Sequence, residues 1–517
     1  MHEDGAGDFG VGSWIERRAR VRPDQPALIH GARTSTYAEL AERIRRLANG
    51  LRGLGVERGD RVAWLGPNHP AFLETFFATG QLGAVLAPVN HRLAREVQAE
   101  VLALTEPVAL VEHGGVTSPP AGSIRHRLAV GAGPRDAIDL ERLIAGSPDD
   151  PIGGSVGADD LAFLPHTSGT TGRPKAVMLT HGNITWNAVN FLSVADFRAH
   201  DVTAAIAPFF RVGGTGVNVL PVLFVGGTVV VPDDPSPDGL LGLLQRHRVT
   251  VGFANPDLLD AIARADTWRS ADLSNIRFIL TGGAPVPERL IRTYLDHGLT
   301  LVQGYGQSEA GPLVLLLDAA RALDKIGSAG RPPLFVDIRI ADPGGADVAP
   351  GQTGELLVRG PNVMAGYWRH PAETSETIRD GVWLRTGDAA RVDGDGDVWI
   401  VDRFDARFTS ADGVVYPGDV ERALLTHPAV ADAGVVGIPG QDGSMVGVAI
   451  VVPATGADVT AGMLLAYCRD RLVAHEVPAA IVFAPELPRN AVGKLLRREL
   501  AQLAVGDGRD GPTIRQA

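Results

Sequence analysis

Two apolar rhythms alternate along most of this chain. After the string Thr36-Tyr37-Ala38-Glu39, which has the form of a capping box, Leu40, Ile44, Leu47 and Leu51 recur at helical spacing until Gly53 and Gly55 end the run. Arg61–Leu65 is a short apolar segment suited to a buried strand. Residues 70–82 read as a second helix and residues 84–88 as the next strand. The alternation resumes at Leu161, with strands expected at residues 204–208, 228–232, 249–254 and 277–281. Strand and helix in turn predict parallel sheets covered on both faces. Residues 113–160, rich in Gly, Ser, Pro and Asp, predict a weakly structured connection. From Val336, short strands with glycine turns predict an antiparallel region, and a strand at residues 398–401 leads into Asp402-Arg403-Phe404-Asp405. The following unit, ending near Val505, has the size of a small domain. The polar tail, residues 506–517, is expected to be disordered.

Composition narrows the class. A chain of 517 residues exceeds what one core supports, so several domains are expected. The hydrophobic share of 45% and charged share of 21% are ordinary for a soluble protein. A net charge of −12 argues against a nucleic-acid partner, which calls for a basic face. Cys468 is the only cysteine, which excludes an intrachain disulfide and a multi-cysteine metal site, and it reads as a small buried hydrophobe. The apolar stretch at residues 217–231 is broken by Pro221, Gly226 and Gly227 and is too short for a membrane span. The acidic, Gly-rich start shows no signal peptide, so a cytoplasmic enzyme is expected.

The strongest chemical signal is Thr167-Ser168-Gly169-Thr170-Thr171-Gly172-Arg173-Pro174-Lys175. Glycines let the backbone approach phosphate oxygens, hydroxyls and N–H groups donate, and Lys175 supplies charge. It is not a Walker loop, because Arg173-Pro174 separate the glycine from the lysine. A flexible surface loop is the plain alternative. Asp393-Gly394-Asp395-Gly396-Asp397 suggests calcium, but the twelfth position of such a loop is Phe404 and not glutamate, so a hairpin turn is expected.

The phosphate-loop string resembles that of the adenylate-forming superfamily, which includes acyl-CoA synthetases. Further strings follow in the family's order: Gly282-Gly283-Ala284, Tyr305-Gly306-Gln307-Ser308-Glu309, Trp383-Leu384-Arg385-Thr386-Gly387-Asp388, the hinge-like Asp402-Arg403-Phe404-Asp405, and Pro488-Arg489-Asn490-Ala491-Val492-Gly493-Lys494. The resemblance runs from about Ala38 to Leu500. It implies an α/β fold: a large N-terminal domain (residues 1–401) of parallel sheets flanked by helices plus a distorted β-barrel portion, a hinge (402–405), and a small mobile C-terminal α+β domain (406–505). It implies an ATP-dependent ligase that joins an acid to AMP, expels pyrophosphate and passes the activated group to a nucleophile. Lys494 would stabilise charge at the α-phosphate, Glu309 would hold Mg²⁺, and Ser308 would touch the α-phosphate. Gly282, Gly283, Ala284, Tyr305 and Gly306 would contact the nucleotide. Asp388 would accept the ribose hydroxyls, Arg403 would contact ribose or phosphate, and Asp405 would be the hinge. A homodimer is compatible with this reading.

Several positions depart from the family. Ala411-Asp412 stands where acyl-CoA synthetases carry Gly-Gly, Gly443-Ser444 where a tryptophan-glycine pair is usual, and His475-Glu476-Val477-Pro478 where a Tyr-Lys-x-Pro string is usual. CoA is the family's commonest acceptor, and these changes raise a carrier-protein thiol or an amine, including diazotase-type chemistry in which nitrite is activated for attack by an aryl amine, as alternatives. A non-catalytic nucleotide binder is a further alternative, against which Lys494 speaks. In the segment Phe209-Phe210-Arg211-Val212-Gly213, Arg211 replaces a usual histidine and would pair with an anionic substituent or with an anionic acid itself; the plain alternative is that it points to solvent or pairs with a nearby acidic side chain. With Phe210, Gly213, Val217 and Asn255 it suggests a pocket for a small or aromatic acid.

Overall fold

The computed structural model describes residues 8–116, 118–119, 122, 124–168, 174–410, 413–440, 445–489 and 495–505. The chain divides into two compact units. One comprises Met1–Ile338, Leu357–Thr386 and Gly396–Val398; the other comprises Arg339–Leu356, Gly387–Asp395 and Trp399–Ala517.

The larger unit is built on two sheets. In the first, the order is Leu313–Leu316, Leu301–Gly306, Phe278–Thr281, Val251–Ala254, Val202–Ala204, Thr228–Val231, Pro26–His30 and Arg33–Thr36. All pairings are parallel except those of the two outermost strands. In the second, Arg61–Leu65 lies between Val85–Val89 and Ala109–His113, parallel to both. The strand Val85–Val89 is buried along its whole length, as a sheet covered on both faces requires. The covering helices arise where the periodicity places them. Tyr37–Gly53 starts at a complete capping box, with Thr36 Oγ1 accepting from Glu39 N and Glu39 accepting from Thr36 N. Pro70–Leu82 begins with proline at its first turn and ends at Gly83, whose φ is +65°.

Two expectations are corrected. Residues 113–160 hold a parallel strand, His126–Val130, and a helix, Leu140–Gly146, which bury Leu128, Leu140 and Ile144. Their apolar positions are too sparse among Gly, Pro and Asp to show a period. The strand expected at 204–208 is Val202–Ala204, because the chain leaves the sheet after Ala204.

The short strands after Val336 are Asp337–Ala341, Gly354–Arg359, Ile378–Arg379, Trp383–Val392 and Val398–Arg403, of which Ile378–Arg379 and Trp383–Val392 pair antiparallel as expected; the fold is mixed α/β with a curled sheet. The Asp393–Asp397 segment is the turn expected there. Asp397 is buried and faces Arg321 (2.8 Å), Arg331 (3.3 Å) and Lys325 (3.9 Å), so its charge is met by cations of the chain.

The smaller unit carries a three-stranded sheet, with Met445–Pro453 antiparallel to Val430–Pro439 and parallel to Ala480–Phe483. Alternation sorts its two faces. Ala433, Val435, Ala449 and Val451 pack with Val420, Leu424, Leu464 and Cys468, while Val436, Ile438, Val448 and Ile450 pack with Leu487, Leu500 and Ala504. Cys468 is buried, as expected, and burial raises its thiol pKa. No helix among the described residues is long and apolar enough to cross a membrane.

Candidate active site

Parallel pairing determines where the sequence motifs emerge. Val202–Ala204, Val251–Ala254, Phe278–Thr281 and Leu301–Gly306 are successive neighbours running the same way. The loops that follow them therefore leave one edge of the sheet side by side. They carry Phe210-Arg211, Asn255, Gly282-Gly283-Ala284 and Ser308-Glu309. The carboxyl ends of parallel strands are where such folds bind ligands. Gly283 has φ +83°, and a Cβ on Gly282 would stand 2.5 Å from the Gly304 carbonyl oxygen, so this turn needs both glycines. Tyr305 pairs with Leu315 in the sheet, and Gly306 with Leu313. Asn255 is exposed, and its side-chain oxygen accepts from Leu258 N, capping the helix Pro256–Ala263.

Lys175 and Glu309 are brought to one place by a third segment. His166–Ser168 and Pro174–Thr180 pair as an antiparallel ribbon with Thr167 opposite Lys175. The other edge of Pro174–Thr180 pairs with Gly366–Tyr367, Val177 standing opposite Tyr367. The Tyr367 hydroxyl donates to Glu309 Oε1 at 2.8 Å, and Lys175 Nζ lies 5.2 Å from the Tyr367 ring centre. Met364 N donates to the Glu309 carbonyl. Burial, and secondly the Glu309 charge, push the Tyr367 pKa far above the usual phenol range, so the hydroxyl remains a donor. Lys175 Nζ stands 2.5 Å from Glu373 Oε2. That oxygen is buried and accepts no well-angled hydrogen bond, so the contact is one of opposite charges. Tyr367 and Glu373 carry no sequence signal toward this role: Tyr367 lies 58 residues from Glu309, and both lie far along the chain from Lys175. Gly169, Thr170, Thr171 and Gly172 lie outside the described residues, as does the Ser168 side chain.

The segment carrying Phe210 is held from the second sheet. Asn68, following Arg61–Leu65, donates to the carbonyls of Ala205 and Ala207, each at 2.8 Å, and accepts from Phe209 N at 2.8 Å. These bonds replace the sheet pairing that the chain abandons after Ala204. Phe210 is buried and meets His91 edge to face, with ring centres 5.7 Å apart. Arg211 N donates to the Pro208 carbonyl, and Arg211 starts the turn Val212–Gly216. Its side chain is open to solvent, yet neighbouring protein desolvates it enough to lower its pKa, and the charge of Arg92 adds to this. Gly213 leaves a place where a Cβ would touch the Phe253 ring at 3.6 Å, and Val217 is buried.

In the smaller unit, Asp388 Oδ1 accepts from Arg403 Nη1 at 2.7 Å, and Gly387 N donates to Glu355. Asp402 accepts from Gly418 N and from Arg497, which also meets Glu421. Asp405 lies exposed in the short turn Phe404–Ala406. Ala411, Asp412, Gly443, Ser444 and Lys494 lie outside the described residues.

Comparison with known proteins agrees with this architecture. Residues 15–368 match the family model of the AMP-binding enzyme, and residues 419–494 match that of the AMP-binding enzyme C-terminal domain. A feruloyl-CoA synthase from Amycolatopsis sp is 47% identical over 95% of this chain and 98% of its own length. An indoleacetate–CoA ligase from Aromatoleum aromaticum is 37% identical over 95% of this chain and 98% of its own. O-succinylbenzoate coenzyme A synthetase from Bacillus subtilis, solved in complex with ATP and magnesium ion, superposes with a TM-score of 0.81 at 30% identity. That match covers 95% of this chain and 99% of that one. Motif order, sheet topology and similarity along nearly the whole length together show that the chain belongs to the AMP-binding enzyme family and is an ATP-dependent, AMP-forming ligase of the acyl-CoA synthetase kind.

Proposed function

We propose that this enzyme activates a small aromatic carboxylic acid as its acyl-adenylate and transfers the acyl group to CoA, in the cytoplasm. The observation that carries this reading is the 47% identity, along nearly the full length, to a protein named for feruloyl-CoA. The indoleacetate and succinylbenzoate ligases are likewise named for aromatic acids and CoA. None of these relatives favours the amine or carrier-protein acceptors, or the activation of nitrite for attack by an amine, that the substitutions around Asp412 raise. The CoA reading therefore treats those substitutions as tolerated.

The chemistry divides among the residues in the following way. In the first step a carboxylate oxygen attacks the α-phosphorus and pyrophosphate leaves. Two anions must meet, so cations and donors are required. Lys175 and the loop preceding it hold the outer phosphates, Ser308 touches the α-phosphate, and Lys494 neutralises charge as the new P–O bond forms. Glu309 fits a hard cation: it is an oxygen donor whose carboxylate is oriented by the Tyr367 hydroxyl, and it would hold Mg²⁺. Mg²⁺, bound with ATP, supplies neutralisation of the phosphates. Gly282, Gly283, Ala284, Tyr305 and Gly306 contact the nucleotide base and its surroundings. Asp388, aligned by Arg403, accepts the ribose hydroxyls. In the second step the CoA thiol attacks the acyl carbon and AMP leaves, with residues 406–505 reoriented at Asp405 between the steps.

The test is pyrophosphate release with ATP and Mg²⁺ over a panel of aromatic and aliphatic acids, with and without CoA, products being identified by mass. Release with ring-bearing acids and an acyl-CoA product is expected. Lys494→Ala should cut release by about 100-fold or more, the scale of a lost transition-state contact, while ATP binding persists. Preference for long aliphatic acids, or full activity of Lys494→Ala, would overturn the reading.

A further inference from the structure

The larger unit pairs most of its well-anchored arginines with acids. Arg43 meets Glu74 and Glu141, Arg45 meets Asp149, and Arg277 meets Asp196 and Asp201. Arg211 differs. Among the described residues its side chain forms no ion pair or hydrogen bond, and the only neighbouring charge that acts on it is the positive charge of Arg92. The Arg92 side chain likewise meets no acid among the described residues. Yet Arg211 stands on a segment that is held closely: Asn68 takes two carbonyls and one N–H just before it, Arg211 N is bonded to Pro208, and the Arg211 carbonyl accepts from Gly214 N. Gly214 cannot carry a side chain, since a Cβ there would lie 1.9 Å from the Pro208 carbonyl oxygen. A solvent-accessible guanidinium whose backbone is fixed and which no acid of the described residues neutralises is free to pair with an anion of a ligand. Beside it, His91 and Phe210 offer an aromatic wall, and His91 Nδ1 is buried without a partner. All of these groups follow the carboxyl ends of parallel strands, Val202–Ala204 and Val85–Val89.

We propose that Arg211, supported by Arg92, is a specificity-determining residue that binds a carboxylate carried on the ring of the substrate, so that this enzyme selects an aromatic acid bearing a second carboxylate over singly charged aromatic acids. The planar fork of guanidinium matches a carboxylate in two parallel hydrogen bonds, which an ammonium or imidazole cannot supply. The Phe210–His91 wall receives the ring that carries the group. The inference rests on the aromatic-acid reading above and narrows it.

Pyrophosphate release with ATP and Mg²⁺ tests it, using cinnamate, 4-carboxycinnamate and nitrite, each with wild type, Arg211→Gln and Arg211→Lys. The wild type should favour 4-carboxycinnamate over cinnamate in kcat/KM. Arg211→Gln should lower that preference about 10- to 100-fold, the worth of a charge-assisted hydrogen bond, mainly through KM. Arg211→Lys should restore part of it. Nitrite-dependent release that Arg211→Gln loses, without any preference for 4-carboxycinnamate, would assign the cation to a free oxyanion and overturn both the inference and the aromatic-acid reading. Equal losses for cinnamate and 4-carboxycinnamate would mean that Arg211 is structural. A change confined to the KM for CoA would assign it to the acceptor. Either result overturns the inference while leaving the aromatic-acid reading in place. Release from none of these substrates but from aliphatic acids would sink both.

Discussion

A single carboxylate determines what ATP must displace. Lys175 is largely shielded, with 15% of its side chain exposed, and Glu373 Oε2 stands 2.5 Å from its ammonium. Any phosphate that Lys175 holds competes with that neighbour. Glu373→Gln keeps the shape and removes the charge, so the dissociation constant for ATP, read by calorimetry, should fall about fivefold, the worth of roughly 1 kcal/mol for a partly exposed ion pair. An unchanged or weaker constant would mean that Glu373 orients Lys175 and does not compete. A second residue-scale effect concerns pH. His181 is fully buried, and its Nδ1 accepts from Val11 N at 3.1 Å. Burial lowers its pKa to about 4, against about 6.5 for a free imidazole. The unfolded chain therefore takes the proton first as pH falls. The stability that comes from a neutral His181 is complete above about 6.5 and is lost as pH drops from there toward about 4. Urea denaturation should show roughly 2 kcal/mol of this loss by pH 5. His181→Gln should remove that share of the pH slope, and an identical slope in the variant would disprove the assignment.

Elements show why some of the fold could be read from sequence and some could not. The helix after Thr36 was legible because its signals are local: a capping box within four residues and an apolar stripe of one period. Arg61–Leu65 and Pro70–Leu82 were legible for the same reason. The end of Val202–Ala204 was not. Residues 205–208 are as apolar as a strand, and what removes them from the sheet is Asn68, more than 130 residues earlier. The motif residues were found by their order, but the Tyr367 and Glu373 contacts that join Lys175 to Glu309 arise only from strand pairing. Asn68→Ala should accordingly act on both stability and the site. Losing three partly buried hydrogen bonds should cost about 2–3 kcal/mol by denaturant titration. It should also raise the KM for the acid more than that for ATP, because the released segment carries Phe210 and Arg211. A variant that loses stability but keeps the wild-type ratio of the two constants would show that this segment does not shape the acid site.

At the scale of the whole molecule, the division into two units sets how the protein melts. The larger unit has its own apolar clusters, among them Leu240, Leu259, Trp268 and Tyr294, and the smaller has clusters on both faces of its three-stranded sheet. Units with separate cores need not unfold together. The division does not follow the sequence: the smaller unit takes Arg339–Leu356 and Gly387–Asp395 as well as the C-terminal stretch. Calorimetry should therefore give a heat of unfolding larger than the van't Hoff value, or two resolved steps. Lys175, Glu309 and Tyr305 all belong to the larger unit, so ATP with Mg²⁺ at about 100 times its dissociation constant should stabilise that step by about 2.7 kcal/mol. Lys175→Ala, measured at the same ATP concentration, should return the step toward its ligand-free midpoint. A single transition with equal heats would show that the two units melt as one cooperative body despite their separate cores.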